Sequence, residues 1–113
     1  MQRFVSHIKF LVERTGIPET QFKVELCKLF DRFELIKRAY LVIVDYSNDE
    51  PLRVALCLCC FGAADEQELV MEVSHIFKKF RRKFDSNMFL DVLFLMDFQE
   101  LDVFKVCTPF YRR

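Results

Sequence analysis

The cysteine-rich segment at residues 57–60 has the spacing most suggestive of chemistry in this chain. Cys57 and Cys60 are separated as in the C-x-x-C motif of zinc sites and thiol–disulfide enzymes, and Cys59 lies between them. Both chemistries need two sulfurs that converge, usually at a turn or a helix start. The surrounding residues predict a strand, on which positions 57 and 60 point to opposite faces. We therefore interpret Cys57, Cys59 and Cys60 as buried apolar side chains, with reactive thiols as the alternative.

The histidines and the strand carboxylates form no local catalytic pattern. His7 and His75 are far apart in the sequence, and neither belongs to an H-E-x-x-H motif. The composition allows a Cys–His dyad, but no nucleophile signature accompanies it. Asp45 and Asp91 interrupt apolar segments, where we expect strand-end or edge charges rather than paired carboxylates. We therefore predict no catalytic residue, no metal site, no cofactor and no enzymatic activity.

One basic cluster follows the apolar stripe of the second predicted helix. Its members are Lys78, Lys79, Arg81, Arg82 and Lys83. They could contact an anion or an acidic partner, or they could complement the negative end of the helix dipole. We favour the helix-end interpretation because the acidic first turn offsets these charges. The whole chain carries 17 basic and 17 acidic residues, so we disfavour nucleic acid as a partner.

The composition predicts one folded domain, covering residues 1–113. Apolar residues make up 52% of the chain, and 14 residues are Phe, which is enough for a hydrophobic core. The five cysteines occur in a chain whose start lacks the apolar core of a secretory signal. No apolar run reaches the roughly 18 to 20 residues of a membrane helix. We therefore expect free thiols, a cytoplasmic location and no membrane association.

The elements that must position these residues can be predicted from periodicity and turn signals. Residues 37–46 are dense in β-branched and aromatic side chains and predict a central strand. Residues 4–13 fit both a strand and a helix, and the fold argument favours the strand. The remaining predicted elements are helix 18–34, turn 47–51, strand 52–61, helix 65–84, turn 85–87, strand 88–96 and helix 98–105. Asp65 with Glu68, and Asp97 with Glu100, are the predicted capping pairs.

This order, β-α-β-β-α-β with a short C-terminal helix, predicts an α+β, ferredoxin-like domain. Two helices would pack on one face of a four-stranded antiparallel sheet. Both faces of the strands at 52–61 and 88–96 are apolar, whereas a sheet open to water on one side should alternate more clearly. We therefore expect the second face to be covered by the terminal helix, by a second subunit, or by both.

Two short motifs carry a family likeness over roughly residues 15–113. The segment 36–41 (IKRAYL), after a Pro-initiated helix, and the terminus 108–113 (TPFYRR) resemble the C-terminal domain of the enhanced serine sensitivity (SseB) family of bacterial proteins. The resemblance implies a bacterial cytoplasmic protein with no established catalytic activity, and it supplies no catalytic residues. In that family a second domain usually precedes this one, and residues 1–113 contain no counterpart of it. The cysteine segment and the many phenylalanines are also not features of that family.

The family-like tail consists of Pro109, Phe110, Tyr111 and Arg112. We expect Phe110 and Tyr111 to pack the tail onto the sheet, and Arg112 to pair with a carboxylate. The preferred function is a non-enzymatic interaction or regulatory domain that forms a homodimer or binds a protein partner through the second sheet face. One alternative is a small-ligand domain that senses amino acids, which rests on fold and family analogy. The other is a thiol or redox protein that uses the cysteines at 57–60.

Overall fold

The computed structural model describes residues 8–46, 51–61, 66–84 and 89–113. These residues form five strands and three helices. In chain order they are β1 (Lys9–Glu13), α1 (Ile17–Phe30), β2 (Ile36–Asp45), β3 (Arg53–Cys60), α2 (Glu66–Phe80), β4 (Leu90–Phe94), α3 (Asp97–Phe104) and β5 (Tyr111–Arg112). The ambiguous N-terminal segment is a strand over residues 9–13. The two long helices end earlier than predicted, and β5 was not predicted. The predicted turns at 47–50 and 85–87, the cap Asp65 and His7 lie outside the described residues.

Helix α1 begins where Gly16 allows the chain to turn. Gly16 has φ 144°, a conformation that side chains disfavour, and an added Cβ would lie 2.5 Å from Oε1 of Glu19. The Gly16 carbonyl accepts hydrogen bonds from the backbone nitrogen of Thr20 at 3.0 Å and from its hydroxyl at 2.8 Å. Pro18 occupies the first turn, where its missing N–H costs nothing. The residues at its N-terminus therefore determine where helix α1 begins, as predicted.

The sheet has the order β1-β2-β3-β4. β2 is antiparallel to both β1 and β3, whereas β3 and β4 are parallel. The α+β class is confirmed, but the prediction of an antiparallel sheet throughout is wrong, and the ferredoxin-like topology is not confirmed. The reason is that α2 is a crossover that returns the chain to the start of the neighbouring strand, so β4 runs in the direction of β3. Element order alone does not determine which strands pair.

The outer edge of β2 is shared by two strands from opposite ends of the chain. β1 pairs with residues 42–45 of β2, and β5 pairs with Arg38 and Ala39. The backbone nitrogens of Phe110 and Arg113 extend this contact by donating to the carbonyls of Ala39 and Lys37, each at 2.9 Å. The C-terminal tail is therefore part of the sheet.

One face of the sheet packs against both α1 and α2, as predicted. Phe22, Leu26 and Phe30 of α1 are fully buried on this face. The ring of Phe22 lies 5.8 Å from the rings of three other phenylalanines, at positions 77, 80 and 84. Several of the 14 phenylalanines thus join the two helices to each other and to the sheet.

The other face of the sheet is covered by α3 and the turn that follows it. Val103 and Cys107 pack on a second buried cluster. Its other buried members are Phe10, Tyr40, Val42, Val44, Tyr46, Ala55, Cys57, Cys59 and Leu93. Of the covers expected for this face, the terminal helix is therefore present. None of the described helices is long and apolar enough to cross a membrane.

Candidate functional site

The outer side of α3 exposes three large apolar side chains. Phe98, Leu101 and Phe104 are 62%, 68% and 59% exposed, whereas Val103 is fully buried on the sheet side of the same helix. Residues three apart lie on one side of a helix, so the three exposed side chains form a continuous row, here called the α3 stripe. Helix α3 is thus apolar on two sides, and among the described residues only the side with Val103 is buried.

A pocket of 360 Å³ opens beside the α3 stripe, between α3 and the C-terminal tail. The register of β5 on β2 places Arg112 directly opposite Arg38, so both side chains leave the sheet on the face that α3 covers. Helix α3 contributes the other wall. The pocket, here called the arginine pocket, is lined by Arg38, Glu100, Leu101, Phe104, Arg112 and Arg113.

Arg38 and Glu100, which both line the arginine pocket, form an ion pair. Arg38 donates from Nη2 to Oε1 of Glu100 at 2.6 Å and from Nε to Oε2, and the hydroxyl of Tyr40 donates to Oε2 at 2.7 Å. The hydrogen bonds from Arg38 lower the pKa of Glu100 to about 2. Burial, together with its hydrogen bond to Glu100, raises the pKa of Tyr40. Glu100 is therefore an ionised structural group and a poor general acid or base near neutral pH.

Arg113 is also engaged by the fold. Its Nη2 donates to the carbonyl of Phe30 at 2.8 Å and its Nε donates to the carbonyl of Ile36 at 3.1 Å. The Phe30 carbonyl belongs to the last turn of α1, whose carbonyls lack partners within the helix. Arg113 therefore caps α1 and keeps its charge beside the pocket.

Arg112 differs from the other two arginines of the pocket. Its side chain is exposed, and within residues 8–46, 51–61, 66–84 and 89–113 its guanidinium has no hydrogen-bond or ion-pair partner. The carboxylate partner expected for Arg112 is thus not found in this part of the chain. Arg112 is the pocket arginine that is available to a ligand.

The rest of the family-like tail packs as expected. Pro109 and Tyr111 are buried, and the Tyr111 ring lies 5.4 Å from the ring of Phe30. The Tyr111 hydroxyl donates to Oδ1 of Asp31 at 3.1 Å, and the Phe110 ring lies 6.3 Å from that of Phe30. These contacts place the tail over the end of α1 and give it a structural role.

The two cysteines of the C-x-x-C spacing, Cys57 and Cys60, do not converge. Cys57 packs in the cluster beneath α3, whereas Cys60 packs on the opposite face of the sheet. Cys57 is fully buried and Cys59 is 6% exposed, and burial raises the pKa of both thiols. Burial likewise raises the pKa of Cys107 to about 12. Among the described residues there is no group of three or more side chains that could hold a metal ion.

The basic cluster lies on the surface at the end of α2, with all five side chains exposed. Only Lys78 and Lys79 belong to the last helical turn, so the helix-end interpretation does not extend to the other three. Lys83 donates to Oε1 of Gln21 at 3.3 Å, and the Arg81 guanidinium lies 5.9 Å from the ring of Phe89. None of the five basic residues lines the arginine pocket.

The strand carboxylates are not brought together. Asp45 is on β2 and Asp91 is on β4, with β3 between them. Asp91 is the second residue of β4, which is an edge strand of the sheet, so its position agrees with the expected strand-end or edge charge. It is nevertheless fully buried, and it accepts hydrogen bonds from Arg53 and Tyr46.

Sequence reasoning missed most of the arginine pocket. Glu100 was interpreted as a capping residue, but the side chain that caps α3 is Gln99, whose Oε1 accepts from the backbone nitrogen of Met96 at 2.9 Å. The signal that could have found the pocket is the exposed apolar spacing of Phe98, Leu101 and Phe104 on a helix already predicted to cover the sheet.

Comparison with known proteins adds no relative. No family model matches the chain, and neither the curated proteins nor the solved structures contain a match. The resemblance to the SseB C-terminal domain therefore stays a prediction.

Proposed function

We propose that this protein is a non-enzymatic interaction domain that self-associates through the α3 stripe. The supporting observation is that α3 buries Val103 against the sheet while Phe98, Leu101 and Phe104 stay exposed on its other side. Contiguous exposed apolar side chains of this size favour burial against another surface. The sheet face on which sequence reasoning placed the interface lies beneath α3, so the proposed interface is on the outer side of that helix.

A second copy is the proposed partner because the surface of α3 is complementary to itself. Phe98 and Phe104 each lie three residues from Leu101, and Asp97 and Lys105 each lie four residues from it. In an antiparallel pair of α3 helices, a twofold axis at Leu101 would bring Phe98 against Phe104 of the second copy. The same axis would bring Asp97 against Lys105 of the second copy. Such self-complementarity is what an isologous dimer requires.

The size of the surface predicts a weak dimer. A helix of 8 residues is about 12 Å long. Stable dimers commonly bury roughly 800 Å² on each partner, which is more than the α3 stripe alone supplies. We therefore expect self-association with a dissociation constant of roughly micromolar or weaker.

Sedimentation equilibrium of the full chain tests this proposal. We expect a concentration-dependent dimer that Leu101→Glu abolishes, because the two introduced carboxylates would meet at the twofold axis. Met71→Glu is the matched control, since Met71 on α2 is 61% exposed and lies outside the proposed interface. A wild-type chain that stays monomeric at millimolar concentration, or equal weakening by Met71→Glu, would overturn the proposal.

Charge reversal tests the antiparallel arrangement itself. Asp97→Lys would place two cations opposite each other, and Lys105→Asp would place two anions opposite each other, so each variant should weaken the dimer. The double variant should restore it, because the attractive pair is re-formed with its signs exchanged. A dimer that resists both single changes would show that α3 does not pair in this way.

The two alternative functions have less support. A thiol enzyme needs an accessible thiolate, whereas Cys57 and Cys59 are buried and Cys60 is half-buried. Burial raises the pKa of all three thiols. An amino-acid sensor needs a carboxylate that can bind the ligand's ammonium group. In the arginine pocket that carboxylate would be Glu100, and both of its oxygens already accept hydrogen bonds from Arg38 or Tyr40.

A further inference from the structure

We propose that the arginine pocket binds a small organic carboxylate that carries an apolar group. This inference goes beyond self-association because it concerns Arg112, which is not a member of the α3 stripe. Leu101 and Phe104 belong both to the stripe and to the pocket, so the ligand and a second copy would compete for them. The ligand would place its carboxylate on Arg112 and its apolar part against Leu101 and Phe104, which form one wall of the pocket.

Two paired strands carry like charges beside the pocket. Arg38 and Arg112 lie directly opposite each other on β2 and β5. Like charges at such positions destabilise a sheet unless a counter-ion separates them. Glu100 forms an ion pair with Arg38, and the side chains that line the pocket include three arginines and one glutamate. A bound anion would balance Arg112.

The donor that Arg112 offers has the shape of a carboxylate-binding group. A guanidinium presents two parallel N–H groups that match the two oxygens of a carboxylate. The pocket already holds one carboxylate in this manner, because Arg38 donates to both oxygens of Glu100. Arg112 has the same donors and, among the described residues, no acceptor for them.

The α3 wall of the pocket is apolar. Leu101 and Phe104 are 68% and 59% exposed and adjoin the arginines directly. An inorganic anion would leave these side chains in water, whereas an aliphatic or aromatic group beside the carboxylate would cover them. The volume of 360 Å³ lies at the low end of the roughly 300–1,000 Å³ typical of ligand sites, so the ligand must be small.

The test is an NMR titration of the full-length protein with phenylacetate and, separately, with inorganic phosphate. Protein concentration is held where sedimentation shows a single species, so that the outcome does not depend on self-association. We expect phenylacetate to cause saturable shifts at Arg112 and Phe104 and to bind more tightly than phosphate. Arg112→Gln should weaken phenylacetate binding at least about tenfold. Arg82→Gln, which removes an equally exposed arginine from the basic cluster, should change it by less than about twofold.

Three results would overturn the proposal. They are the absence of saturable shifts at the pocket, equal weakening by Arg82→Gln and Arg112→Gln, and phosphate binding as tight as that of phenylacetate. The last result would mean that the apolar wall contributes nothing. Because Arg112 is not a member of the α3 stripe, ligand binding by a chain that fails to dimerise would leave this inference standing and remove only the proposed self-association.

Discussion

Arg53 on β3 and Asp91 on β4 form a bidentate ion pair on the sheet face that α3 covers. Nε of Arg53 donates to Oδ2 of Asp91 at 2.6 Å, and Nη2 donates to Oδ1 at 2.8 Å. The hydroxyl of Tyr46 donates to Oδ2 at 2.8 Å, and Asp91 is fully buried. A charge with no exposure to water is tolerated only when its hydrogen bonds are satisfied. This ion pair therefore links the parallel strands β3 and β4.

Removing the charge of Asp91 should be strongly destabilising. Asp91→Asn keeps the shape of the side chain but deprives the Arg53 guanidinium of its carboxylate. We expect the free energy of unfolding to fall by about 3–5 kcal/mol, measured by urea denaturation at neutral pH. Asp102→Asn is the control, because Asp102 is exposed and lies 3.7 Å from Lys105 in a surface pair, so the loss there should be below about 1 kcal/mol. Similar losses for the two variants would contradict the structural role of Asp91.

The ion pair between Arg38 and Glu100 should make stability depend on pH in the acid range. The pKa of Glu100 is lowered from 4.5 to about 2 in the folded protein, chiefly by hydrogen bonds from Arg38. A lowered pKa means that the stabilisation is complete above pH 4.5 and disappears as the pH falls through about 2. We therefore expect Glu100→Gln to cost about 2 kcal/mol at pH 7 and progressively less below pH 4.5.

The measurement is a series of urea midpoints for the wild type and Glu100→Gln between neutral and acid pH. The difference between the two proteins should narrow as Glu100 becomes protonated. Glu25→Gln serves as a comparison, since Glu25 is in an exposed pair with Lys28. A difference that stays constant down to about pH 2 would show that Glu100 stabilises through its shape alone.

The thiols should react in an order set by burial. Cys57, Cys59 and Cys107 are buried, whereas Cys27 and Cys60 are half-buried. Since only the thiolate is nucleophilic, burial and a raised pKa both slow alkylation. We expect mass spectrometry of iodoacetamide-treated native protein to find Cys27 and Cys60 modified first. Rapid modification of Cys57 or Cys59 would revive the redox hypothesis.

Substitutions at the neighbouring tail residues Tyr111 and Arg112 should have different effects on stability. Tyr111 is buried against Phe30, so Tyr111→Ala should lower the free energy of unfolding by about 3 kcal/mol. Arg112 is exposed, so Arg112→Ala should change it by less than about 0.5 kcal/mol. Thermal or urea unfolding of the two variants provides the comparison. Strong destabilisation by Arg112→Ala would indicate that this arginine supports the fold rather than a ligand.

The predictions of side-chain burial were correct where they depended on residues close together in the sequence. The alternation of Val54, Leu56 and Leu58 with Ala55 and Cys57 correctly predicted which side chains face each side of β3. The amphipathic spacing of α1 and α2 correctly predicted buried residues of each helix, including Phe22 and Leu26 on α1 and Leu69 and Val73 on α2. These successes share a cause, because the direction of a side chain depends on its position along a local helix or strand.

Sequence reasoning failed where the answer depends on pairing between distant segments. The parallel pairing of β4, the addition of β5 to the edge of β2, and the partner of Asp91 were all missed. Arg38 and Glu100 are 62 positions apart, and neither carries a local sign of the other. Long-range pairs of this kind form only after the strand register and the path of the crossover have been decided.

The sequence by itself therefore determined the three helices, the strands β1 to β4, the two apolar faces of the sheet and the burial of Cys57 and Cys59, because each follows from local periodicity. Only the tertiary structure decided that α3 covers the second face and leaves Phe98, Leu101 and Phe104 outside. It also decided that Arg112 lies opposite Arg38 beside a single carboxylate. The physical reason is that contact between segments distant in sequence depends on sheet register and helix packing, which no short stretch of residues specifies.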